Sequence, residues 1–84
     1  MKDYFITFRS VTYAQKGEAV LHTAGIRCAL QRTPRWMEQQ GCGYSLRLQG
    51  RELSGAMELL QKYQIPFRRV YGRGRDGEIK EVLL

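Results

Sequence analysis

The hydrophobic pattern changes period several times along the chain, and each change marks an element. Residues 4–8, "YFITF", are continuously β-branched or aromatic rather than alternating, which suits a central strand with apolar contact on both faces. Helical spacing follows: Ala14, Gly17 and Leu21, with Val20 and Ala24, fall on one face. Ser10 is one candidate N-cap, Thr12 with Gln15 three residues on is another, and Gly25 stands where a C′ glycine belongs. Residues 26–31 alternate, with Ile26, Cys28 and Leu30 on one side. Residues 43–49 alternate too, Tyr44, Leu46 and Leu48 facing one way and Ser45 and Arg47 the other. Over residues 51–63 the period returns to that of a helix, carried by Leu53, Ala56, Met57 and Leu60, and Pro66 ends it. Residues 67–71, "FRRVY", read as a last strand, "GRGRDG" as a turn-rich basic break, and "EIKEVLL" fits a short strand or a helical turn equally.

The order β-α-β-β-α-β predicts an α+β, ferredoxin-like fold: a four-stranded antiparallel sheet with two helices on one face. The other face is expected to stay open unless a partner covers it. Residues 1–71 are read as a single domain and residues 72–84 as a basic turn and short C-terminal tail.

Composition narrows the function. At 84 residues the core is small, and a chain of this size buries roughly 60–65% of its unfolded surface. Fourteen Lys and Arg against eight acids give a net charge of +6, which favours anionic partners or simply keeps the protein in solution. The opening "MKDYFITFRS" is neither a signal peptide nor an anchor, and no apolar run approaches the roughly 20 residues of a membrane span. The protein is therefore expected to be cytoplasmic, where two cysteines are free thiols rather than a structural bridge. Cys28, Cys42 and the lone His22 make no zinc pattern, and no Ser/His/Asp arrangement can be argued. "GRGRDG" lacks the helix that a dinucleotide fingerprint requires, so no cofactor and no metal is expected.

Cys42 is the one residue with chemistry to explain. It stands between Gly41 and Gly43, which give the sulfur little local cover. In the predicted topology the end of strand one lies beside the start of strand three, so Cys42 falls near the N-terminus of the first helix. Arg9, Ser10 and Arg35 are then in reach of it. Positive charge there favours the thiolate, the reactive form. The plainer alternative, a small buried apolar residue, suits Cys28 better, mid-strand between Ile26 and Leu30. A Cys28–Cys42 bridge is not expected: pairing Gln31 with Gly43 leaves the cysteines about four residues apart along the strands, beyond the Cα limit of about 7 Å.

The segments "YFITFRSVTYAQKGEAVLHTAGI", "TPR", "CGYSLRL" and a leucine-rich helix ending in "IPF" resemble the small selenium- or sulfur-carrier-like proteins of prokaryotes. The likeness covers residues 4–71, and Thr33-Pro34-Arg35 with Cys42-Gly43 carry its specificity. The resemblance implies a carrier that holds sulfur or selenium on Cys42 as a persulfide or selenosulfide, taken from a donor enzyme and passed to an acceptor. Arg9, Ser10, Arg35 and Gly43 are the residues expected to steady the thiolate. The chain departs from the family in its loop, "WMEQQG" where serines are usual, which removes small hydroxyl donors. Trp36 and Met37 in their place are candidates for docking a partner.

Two other readings compete. A nucleic-acid module would use Phe5, Arg27, Arg47, one or both of Arg68 and Arg69, and Tyr71 on the open sheet face, although strand three lacks the aromatic-glycine signature of RNA-recognition motifs. A regulatory or scaffold subunit would pair its sheet with a larger enzyme or, as a homodimer, with a second copy.

Overall fold

A computed structural model describes residues 3–33 and 43–82. Among them the elements run β1 (Asp3–Phe8), α1 (Val11–Thr23), β2 (Ala29–Arg32), β3 (Tyr44–Gln49), a 3-10 turn (Gly50–Glu52), α2 (Leu53–Lys62), β4 (Val70–Arg73) and β5 (Ile79–Val82). The sheet is antiparallel throughout, in the order β2-β3-β1-β4-β5. Its first four strands keep the ferredoxin-like arrangement. The fifth is a correction to the expected four, and the strand through residues 67–71 is not the last.

The extra strand follows from turn chemistry. Gly77 takes φ 82, its N–H bonds to Gly74 O, and Gly74 N–H bonds to Glu78 O at 2.8 Å. Asp76 accepts the N–H of Glu78, so Arg75, Asp76 and Gly77 form a three-residue hairpin loop. β5 then pairs with β4 from Ile79↔Arg73 to Val82↔Val70.

Both helices end on the same local device. Ile26 N–H reaches Leu21 O and Gly25 N–H reaches His22 O, with Gly25 at φ 83. In α2, Ile65 N–H reaches Leu60 O and Gln64 N–H reaches Gln61 O, with Gln64 at φ 55. These are Schellman stops, and each tucks the following isoleucine into the core. The second helix therefore ends before Pro66. At its other end residues 50–52 are wound as 3-10, so it starts later than its apolar period suggests.

Both helices cover the sheet face that carries Ile6, Phe8, Leu46, Leu48 and Val70; Ala14, Leu21, Ala56 and Leu60 complete this core. A Cβ on Gly17 would lie 3.3 Å from both Leu46 Cδ1 and Phe8 Cζ, which is why a mid-helix glycine is used there. The opposite face is less open than its alternation implies. Phe5, Thr7 and Ser45, which alternate with the core residues of their strands, are all buried. Arg73 lies over the Phe5 ring at 5.3 Å and holds the Asp3 carboxylate at 2.6 Å.

Candidate functional site

The end of β1 where the chain passes into α1 gathers the groups of interest. Phe8 pairs with Tyr44, the first residue of β3, as the predicted topology requires. Beyond it Ser10 caps α1: its backbone is extended and its Oγ accepts the Tyr13 N–H at 3.3 Å. Of the two candidate caps, Ser10 is the one used. Its hydroxyl accepts in that bond and so keeps its own proton to donate. Arg9 is exposed beside it.

The pairing of β2 with β3 differs from the expected register by two residues. Gln31 faces Ser45, not Gly43, and Thr33 N–H bonds to Gly43 O at 2.9 Å. At the α1 exit Arg27 and Cys28 follow the Schellman stop, and pairing begins only at Ala29 rather than at Ile26. The effect of the shifted register is to bring Thr33 opposite Gly43, the residue that follows Cys42 in the chain.

Thr33, Gly43, Ser45 and Thr7 thus lie on one sheet face across three neighbouring strands. All four are buried. Thr7 is well satisfied: its Oγ1 donates to Arg69 O and accepts from Arg69 N–H. Thr33 Oγ1 and Ser45 Oγ have no hydrogen-bond partner among the described residues. A buried hydroxyl left so costs about 1–3 kcal/mol, which makes the pair stand out in a core this small.

Neither hydroxyl is evident from spacing alone. Ser45 reads as a solvent-facing position in an alternating strand, and Thr33 as part of "TPR". Ser45 stands on β3 and Thr33 directly after β2. Of the other predicted site residues, Cys42, Arg35, Trp36 and Met37 lie outside the described residues.

Cys28 supplies a contrast. It is a free thiol, half-buried against the core. Burial and, less strongly, the nearby Glu18 push its pKa up to about 11. A thiol so protected is almost entirely protonated at neutral pH and makes a poor nucleophile. His22, on the surface of α1, bonds through Nε2 to Cys28 O at 3.1 Å.

Among the described residues no group of three His, Cys, Asp or Glu is placed to hold a metal ion. No helix among them is long and apolar enough to cross a membrane. With Phe5 only 3% exposed beneath Arg73, a base cannot stack on it, which removes one support of the sheet-face nucleic-acid reading.

Comparison with curated proteins finds no match, and comparison with solved structures finds none. A family model does match. It spans residues 3–72, nearly the whole described chain up to the middle of β4, under the description "Putative Se/S carrier protein-like". The protein belongs to this selenium/sulfur carrier-like family.

Proposed function

We propose that the chain carries a sulfur or selenium atom on Cys42 and hands it between a donor and an acceptor enzyme. One observation supports this beyond family membership: two buried, uncommitted hydroxyls, Thr33 and Ser45, flank the residue that follows Cys42. Hydroxyls without partners are suited to receiving an anion that arrives later, such as a thiolate or a persulfide anion. A hydrogen bond to a charged group contributes about 1.5–3 kcal/mol, enough to offset their burial.

The transfer is an exchange at sulfur. The Cys42 thiolate attacks the outer sulfur of a donor persulfide. The donor's S–S bond breaks, a new S–S bond forms on Cys42, and the donor thiolate leaves with the electron pair. No external oxidant or reductant is consumed. Passing the atom on repeats the exchange with the acceptor as nucleophile. In this reading Arg9, Ser10, Arg35, Gly43, Thr33 and Ser45 steady the negative sulfur, and Trp36 and Met37 meet the partner. The protein needs no general base, because the thiolate is prepared by its surroundings.

Incubation with a cysteine desulfurase and cysteine, followed by intact-mass measurement without reductant, tests the reading. One added sulfur, retained in Cys28→Ser and lost in Cys42→Ser, is expected. Addition at Cys28, or none in the wild type, overturns it.

A further inference from the structure

Where β1 passes into α1 lies a cavity of about 530 Å³ lined by Arg9, Tyr13, Pro66, Phe67, Arg68 and Arg69. Its volume falls within the range of about 300–1,000 Å³ typical of small-molecule sites. Three of the six lining residues are arginines, and no acidic residue lines it among the described residues. The first turn of α1 carries no acidic residue either, so the positive end of the helix adds to the arginines instead of being neutralised.

The other half of the lining is a different chemistry: two aromatic rings and a proline. The cavity is also held in shape. Arg68 N–H bonds to Thr7 O at 2.7 Å and Thr7 N–H to Arg69 O at 2.8 Å, while the Thr7 hydroxyl bonds twice to the Arg69 backbone. The two arginines therefore start from backbone pinned to the central strand.

An inorganic oxyanion would use the arginines and leave the rings idle. An acidic peptide would do the same. A ligand that uses both has an anionic group and a flat ring on one small frame. We propose that this cavity binds a nucleotide, its phosphate held by the Arg9 guanidinium in the positive field of the arginine-lined wall and its base against Tyr13 and Phe67. The same chemistry is offered by a free nucleotide and by the phosphorylated end of an RNA strand. The inference does not depend on sulfur carriage, and it places nucleotide recognition in the cavity rather than on the sheet face.

The test is titration calorimetry of the full chain at low salt with AMP, ribose 5-phosphate, inorganic phosphate, a 5′-phosphorylated RNA hexamer and a glutamate-rich peptide. AMP is expected to bind at least tenfold more tightly than ribose 5-phosphate or phosphate. Tyr13→Ala should erase that difference, and Arg9→Ala should weaken AMP at least tenfold. Arg47→Ala, an equal loss of charge away from the cavity, should change affinity less than threefold. A hexamer tighter than AMP identifies a strand end as the ligand; an equal or weaker one identifies a free nucleotide. AMP no better than phosphate, the peptide binding more tightly than AMP, or Arg47→Ala as damaging as Arg9→Ala would each overturn the proposal. Binding unchanged in Cys42→Ser separates this result from the fate of the carrier reading.

Discussion

The two ends of the central strand pair, β1 with β3, are built on opposite plans. At the Asp3–Gln49 end the Asp3 carboxylate is matched within the protein. Asp3 meets Arg73 at 2.6 Å, the same guanidinium covers Phe5, and nearby Cys28 is kept protonated. At the Phe8–Tyr44 end Thr33 and Ser45 are buried without partners among the described residues, and an arginine-lined cavity opens where β1 passes into α1. The first end contributes to stability. The second costs stability, and groups kept at such a cost are where a ligand or a reacting atom is to be sought.

The contrast is broken most easily at the closed end. Arg73→Ala removes a partly exposed ion pair and a cation–π contact together, so unfolding in urea should show a loss of about 1–2 kcal/mol. Sulfur loading of the surviving folded protein should be unchanged. A comparable fall in loading would mean that the two ends are coupled and the contrast is false.

At the other end the signs reverse. Thr33→Val and Ser45→Ala each remove a hydroxyl that has no partner, so stability should hold or rise by up to about 1 kcal/mol. If these hydroxyls receive a sulfur anion, single-turnover loading should slow roughly tenfold, since about 1.4 kcal/mol in the transition state is a factor of ten. Stability lost in both variants, with loading intact, would mark the hydroxyls as structural.

The smallest effect concerns pH. Burial raises the pKa of the folded Cys28 thiol from its ordinary value of 9.0 to about 11. Between those values the unfolded chain loses the thiol proton while the folded chain retains it, so stability falls as pH rises through that window. Below it the thiol is neutral in both states and contributes no slope. Cys28→Ser should flatten this part of the alkaline limb, which thermal melts at several pH values would detect.

The fold was legible wherever two local signals agreed. α1 has an apolar stripe, Ser10 before it and Gly25 after it; β1 has an unbroken β-branched and aromatic run. β5 was harder because its strand, Ile79–Val82, has charged residues at its two centre positions. Its clearest mark is Asp76-Gly77, a turn signal that works through backbone conformation rather than hydrophobicity. The β2–β3 register was out of reach, since alternation fixes which face a residue is on but not which residue it pairs with, and a slide of two keeps every face unchanged.

The site was legible as a place and not as a set of groups. That Phe8 and Ser10 approach the head of β3 follows from strand order alone. That Ser45 is buried and unsatisfied does not, because alternation reports which face a residue is on and not what covers that face. The cavity draws on residues 9, 13 and 66–69, which only the tertiary structure brings together.

The β4–β5 hairpin has a consequence for modularity. The family match stops at residue 72, so β5 lies beyond it, laid along the outer edge of β4. Without β5, the outward N–H and C=O groups of β4 would be an open template for strand addition by another chain. The fifth strand works as a selvedge: it finishes the sheet with a charged border and leaves the Phe8–Tyr44 end of the central strand pair untouched.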